Sequence, residues 1–442
     1  MDEARGVVSR IYGNLGRLLG GKAAAGLLSL AYLAIAARAL GPADYGVLVL
    51  VHTYVMTVGG IIEFPGWHAV VRYGAQALTL EDRPRLTRLL AFAALVEGAG
   101  GLAAVLAAAI LAPWLGPRLG WSDTAVAFAG PYSLAVLASI RATPAGYLQL
   151  TRRFDLLGAH NIVAPLARIV GAGLAAAGGA GLKGFLVAWL MAALAEWASM
   201  WALGFWAARR QIAWRHLAPG LRGVPAENPG LWRFMLAANA DVTATELAGR
   251  AAPLAVGWML GPASAGLYAV AQRATVILSQ PAQILGQAAY AELARIAVAG
   301  DGGRRIRAAL APAIGVALAA SAVVCGLVAL FGRDLAVLVA GDAFAGAAGV
   351  MLALTAGRAL LMAAPPMSAA LTALGRPGLS VQANLVAGLG LLVLLPPLLR
   401  NAGLAGAGAL AIAQALTAVG LLAFHLWRET APVAPTSERI AA

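Results

Sequence analysis

Apolar runs of about twenty residues, separated by short polar stretches, recur along the whole chain. That is the length a helix needs to cross a hydrocarbon core of about 30 Å. Windows of this size predict twelve spans, near residues 18–37, 47–66, 89–112, 124–147, 157–179, 184–206, 234–259, 264–290, 308–331, 345–372, 379–399 and 404–427. The intervening loops are short, so the pattern predicts an all-α integral membrane protein with no sizeable soluble domain. Composition agrees: of 442 residues, 61% are hydrophobic and 12% charged, with a mean hydropathy of +0.80. An average soluble domain carries roughly 25% charged residues.

The basic residues divide by side. With the N-terminus placed in the cytoplasm, that face holds 22 of the 32 lysines and arginines and the opposite face five, Arg38, Arg118, Lys183, Arg333 and Arg400. Positive loops resist translocation, and an even number of spans puts both termini in the cytoplasm. The net charge of +13 therefore reads as topology. Its basic residues are scattered over loops without interleaved aromatics, which argues against nucleic acid as a partner.

A second pattern lies across the first. "LGPADYG" at Leu40 is echoed by "LGPASAG" at Leu260, 220 residues later. Pro144 matches Pro366 at an offset of 222, "RFDLLGAHNIVA" from Arg153 matches "RPGLSVQANLVA" from Arg376 at 223, and "GLKG" at Gly181 matches "GLAG" at Gly403 at 222. Four matches in one order predict two related six-span lobes, residues 1–206 and 234–427, with a basic cytoplasmic linker at 207–233 and a polar cytoplasmic tail at 428–442. Six is even, so the lobes share one orientation. Parallel repeats of this kind bind substrate near the midplane at the repeat interface.

The first span with its Gly-rich basic lead, "GNLGRLLGGKAAAGLLSLAYLAIAARALGPADYG", and the end of the second, "GGIIEFPGWHAVVRYGA", resemble the start of bacterial polysaccharide exporters. These are lipid-linked oligosaccharide flippases of the multidrug, oligosaccharidyl-lipid and polysaccharide (MOP) exporter superfamily. "GWMLGPASAGLYAVAQR" resembles the start of their second half. The resemblance implies two pseudo-symmetric six-helix lobes around a central cavity, in the bacterial inner membrane. It also implies translocation of a polyprenyl-pyrophosphate-linked oligosaccharide to the outer leaflet by alternating access, with glycan-assembly proteins as partners. Many members have fourteen spans, so features built on two extra C-terminal helices do not carry over.

Ionisable groups at membrane depth cost about 2.5–3.5 kcal/mol each on insertion scales and usually face a cavity or a partner. Arg141, Arg168, Arg250, Arg273 and Arg358 lie inside predicted spans and are the candidate pyrophosphate ligands. A guanidinium never loses its proton and binds such oxygens bidentately. On the seventh span Asn239, Thr243, Glu246 and Arg250 share one helical stripe, within which Glu246 and Arg250 are also placed to neutralise each other at i and i+4. On the eighth, Arg273, Gln280 and Gln287 recur every seven residues with Gln283 on the flank, a stripe suited to sugar hydroxyls or to interhelical hydrogen bonds.

No bound cofactor is expected. The acids Glu63, Asp241 and Glu246 are the candidates for coupling to H⁺ or Na⁺. Pro253 on the seventh span, with Gly20 and Gly21 on the first, marks places for gating motions. The histidines form no ligand pair at helical spacing and no nucleophile has a catalytic context, so the chain reads as a transporter and not an enzyme. The alternatives are a cation-coupled multidrug exporter of the same superfamily and a membrane-embedded oligosaccharide polymerase or ligase. The first should have an acid-dominated, aromatic-rich cavity; the second should carry a large outer loop.

Overall fold

The computed structural model describes residues 2–62, 66–209, 221–275 and 302–430. It is helical almost throughout, with no strand among the described residues. Nine helices among these residues are long and apolar enough to cross a membrane. The difference from twelve has identifiable sources. The first two predicted spans run as one helix, α1 (Asp2–Ile62), the seventh coincides with a helix outside that count, and the eighth is described only to residue 275.

α1 is broken at a single residue, Gly41, whose backbone (φ 69°, ψ 177°) is non-helical. Gly-Pro explains the corner: the proline ring pushes the preceding residue out of the helical region, and glycine tolerates the positive φ. The expected turn between two spans is thus a one-residue corner between consecutive helices.

After α1 come α2 (Trp67–Thr79), α3 (Arg83–Leu115), α4 (Asp123–Tyr132), α5 (Ala142–Leu150), α6 (Phe154–Ala177), α7 (Gly181–Ala208) and α8 (Leu231–Leu260). α2 occupies a stretch expected to be loop. It is too short for a span window, yet Ala69, Val70, Tyr73 and Ala77 recur at helical spacing and are buried, partly against α3 and α5. The second half of the linker also packs onto α3. Val224 and Asn228 are fully buried there, Arg85 donates to Asn228 Oδ1 at 2.9 and 3.2 Å, and Arg88 pairs with Glu227 at 2.9 Å.

The chain then runs through a helix over 262–275, α9 (Gly302–Ala340), α10 (Ala348–Leu361), α11 (Ala364–Ala373), α12 (Pro377–Gly388), α13 (Leu395–Ala402) and α14 (Leu404–Glu429). α14 carries helix past Arg428, where the sequence suggested a tail, and Glu429 pairs with Arg376 at 3.3 Å.

Contacts divide the chain into two compact units: Met1–Leu267 with Val339–Ala343, and Tyr268–Leu338 with Phe344–Ala442. The first is organised by α6 against α1 and α7, where Gly171 lets α6 approach Ala188 and Gly204 lets α7 approach Pro144. The second is organised by α14 against α10, α11 and α12, with Gly357 on the Ala411 carbonyl and Gly408 on Ala353.

The backbone carries the repeat point by point. Gly261, before Pro262, has φ 84° and ψ 170°, close to Gly41. Pro144 and Pro366 are each the third residue of a short helix, α5 and α11. Arg153 and Arg376 each precede the following helix, and Gly181 and Gly403 take φ values of 55° and 57°. The two corners also meet. A Cβ on Gly46 would run into the Pro262 carbonyl, and one on Gly266 into the Pro42 carbonyl, so equivalent residues of the two copies pack reciprocally within the first unit.

Candidate functional site

His160, Ala164 and Arg168 stand four residues apart and therefore on one face of α6. Opposite them α7 supplies Trp189, Glu196 and Ser199. The two polar residues of α6 head separate layers, eight residues or roughly 12 Å apart along the helix.

In one layer the Arg168 guanidinium meets residues from two other helices, α1 and α7. It donates to Tyr32 Oη at 3.2 Å, faces His52 Nε2 at 3.5 Å, and lies 5.4 and 5.2 Å from the ring centres of Tyr32 and Trp189. A guanidinium only donates, so His52 Nε2 is an acceptor and Nδ1 carries the proton toward Tyr132 Oη, 2.9 Å away. Arg168 Nε is buried without a partner among the described residues. Among the described residues no carboxylate forms an ion pair with this arginine; its direct partners are a hydroxyl, an imidazole and two π faces, and Glu196 acts on it only through space.

The other layer is neutralised internally. Arg141 forms an ion pair with Glu196 and donates to His160 Nε2 at 3.0 Å. His160 Nδ1 then donates to Ser199 Oγ at 3.0 Å, and Ser199 Oγ to the Glu196 carbonyl at 3.0 Å. Arg141 sits where the fourth span breaks, between a 3₁₀ stretch (Ser133–Ala138) and α5. The backbone groups freed there are satisfied on the spot. Fully buried Glu97 accepts from the N–H groups of Ala142 and of Thr143, the latter at 2.8 Å, while Trp201 Nε1 donates to the Ile140 carbonyl at 2.7 Å.

On α8, Thr243 Oγ1 donates to the Gly60 carbonyl at 3.2 Å, Arg250 donates to the Met56 carbonyl, and Arg250 pairs with Glu246 at 2.6 Å. The i, i+4 pair is therefore formed, and the stripe fastens α8 to α1. Asn239, a turn before Thr243, is buried with neither amide atom partnered among the described residues. α8 continues through Pro253, and α1 is helical at Gly20 and Gly21. Asp241 lies on α8, its side chain outside the described set. In the second unit Arg358 Nε donates to Thr275 Oγ1 at 3.1 Å, and Arg273 is exposed. Glu63, Gln280, Gln283 and Gln287 lie outside the described residues.

Sequence patterning does not single out Glu97, Glu196, Tyr32, His52, Tyr132, His160, Trp189 or Ser199. The eight-residue spacing of His160 and Arg168 was a usable signal. The aromatic cage was not, because its members come from α1, α4 and α7.

These features define a multi-pass helical membrane protein whose backbone carries an internal repeat, with charged groups held at span depth. Residues 35–310 match the family described as "Polysaccharide biosynthesis protein". The chain belongs to this family. It is 28% identical over 274 residues to inner membrane protein YghQ of Escherichia coli (strain K12), covering 61% of this chain and 76% of that protein. Among solved structures it resembles an inward-facing multidrug resistance MATE family transporter of the MOP superfamily, with a TM-score of 0.71 and 15% identity over 92% of this chain and 95% of that one. It also resembles the lipid II flippase MurJ in an inward closed conformation, with a TM-score of 0.68 and 14% identity over 93% and 88%. The fold is that of the MOP superfamily.

Proposed function

We propose that this protein moves a polyprenyl-pyrophosphate-linked oligosaccharide from the inner to the outer leaflet of a bacterial inner membrane by alternating access, for cell-surface polysaccharide assembly. Arg168 carries the reading: it is a guanidinium at span depth with no carboxylate partner among the described residues and an unpaired buried Nε. Such a group attracts a phosphate and repels a cationic drug. Family membership and the fold shared with a lipid II flippase support the same class of cargo. Similarity to an inner membrane protein and the charge asymmetry of the loops support the location, with both termini cytoplasmic.

Arg358 and Arg273 are the corresponding cationic candidates of the second unit, with Gln280, Gln283 and Gln287 for sugar hydroxyls. Arg141 and Arg250 already hold acids, and bind cargo only by exchanging them. Asn239 offers both amide groups, and Thr243 its hydroxyl, to a polar cargo. Glu63, Asp241 and Glu246 are the proposed sites for H⁺ or Na⁺ coupling, and Pro253 with Gly20 and Gly21 the proposed flexing points.

The test is reconstitution of the full chain in vesicles with a fluorescent polyprenyl-pyrophosphate sugar. Accelerated leaflet exchange is expected. Exchange equal to protein-free vesicles, with efflux of cationic drugs in its place, overturns the proposal in favour of a multidrug exporter.

A further inference from the structure

On another face of the α6–α7 pair, away from the Arg168 layer, lies a groove of about 1030 Å³. Its walls are Leu166, Val170 and Leu174 on α6 and Val187 and Met191 on α7, and Lys183 is the charged group in its lining. The floor is set by small residues: a Cβ on Gly171 would come within 2.7 Å of Ala188 Cβ. The helices are therefore nearly in backbone contact below, while larger side chains stand up on either side; Leu174 is 71% exposed and Met191 58%.

Three features point to one occupant. On α7 the lining runs from Lys183 to Ala195, roughly 18 Å of helix, which matches the depth of one leaflet of a core about 30 Å thick. Lys183 sits in the first turn of α7, at one end of the groove, and that helix start has no side-chain cap. Among the described residues no acid pairs with Lys183, which is exposed. A leaflet-deep apolar slot with a lysine at its end is complementary to a lipid with one acyl chain laid in the slot and its phosphate at the ammonium.

We propose that this groove is a binding site for an anionic glycerophospholipid of the bilayer. The lining offers no array of hydrogen-bonding groups for a glycan, and a single ammonium matches a single phosphate charge better than a pyrophosphate. The site is separate from the arginine layers and does not depend on the identity of the transported cargo.

The test uses the full-length protein in nanodiscs of phosphatidylcholine containing a trace of phosphatidylglycerol with a photoreactive group in its acyl chain, with labelled residues mapped by mass spectrometry. Labels should concentrate on 163–174 and 183–195. Lys183→Glu should reduce them about fivefold or more, whereas Lys183→Arg should keep them. Val170→Trp, which fills the slot and leaves the charge, should also reduce them. Even labelling of all lipid-facing helices, equal labelling by a photoreactive phosphatidylcholine, or labelling indifferent to Lys183→Glu overturns the proposal. Displacement of the label by equimolar polyprenyl phosphate, but not by unlabelled phosphatidylglycerol, overturns it too, because the groove would then belong to the tail of the cargo.

Discussion

Arg141 and Arg168 meet the same pair of helices, α6 and α7, about two turns apart, and their surroundings are opposite. Arg141 has Glu196 and a closed circuit through His160 and Ser199. Arg168 has Tyr32, His52 and Trp189, none of which carries negative charge to offset it. In a medium of low dielectric an internally paired charge presents little net field, whereas an unpaired one attracts any anion that can reach it. The number of arginines in the spans thus overstates the site. What sorts them is which ones the fold has already neutralised.

The sharpest way to break this contrast is to remove each arginine in turn and measure binding of a polyprenyl-pyrophosphate sugar in nanodiscs. Arg168→Ala should lower affinity by about 10- to 100-fold, the loss of one or two charge-assisted hydrogen bonds. Arg141→Ala should change it less than threefold. Equal losses for both would show that pairing does not distinguish them.

Stability should show the reverse order. Glu196→Gln strands the Arg141 charge and should destabilise the protein by about 2–3 kcal/mol, somewhat less than a fully buried pair because Arg141 is partly exposed. Replacing both, as Arg141→Met with Glu196→Leu, should recover most of the loss in a double-mutant cycle. Additive losses would mean that the two side chains are not coupled.

A smaller effect is expected at the reciprocal corners. Gly46→Ala or Gly266→Ala forces a methyl against a carbonyl of the other copy and should cost about 1–3 kcal/mol in equilibrium unfolding. The double variant should cost clearly less than the sum, since parting the corners once relieves both contacts. Gly249→Ala, where a Cβ meets nothing, should change stability by under about 1 kcal/mol and is the control.

Much of this architecture was legible. The duplication was read from short motifs, and each motif proved to mark a backbone feature that its residues enforce: a Gly-Pro corner, a proline in the first turn of a half-helix, a positive-φ glycine before a helix. Glycine and proline act locally, so their consequences survive in the one-dimensional text. The pairing of Glu246 with Arg250 was legible for the same reason, lying within one turn of one helix. α2 was missed because a search for whole spans passes over a 13-residue helix that buries one face.

The amino-acid sequence by itself determined that this chain is an all-helical membrane protein of two related halves. Span length, charge asymmetry and the glycine and proline positions are all properties of neighbouring residues. Only the tertiary structure decided which buried charges are spent. Glu196 reaches Arg141 across 55 positions and Tyr32 reaches Arg168 across 136, and such distances carry no periodic signal. It also decided that the two Leu-Gly-Pro corners, far apart in the chain, pack reciprocally against each other, because that contact depends on how α1 meets the helix over 262–275 and not on either motif alone.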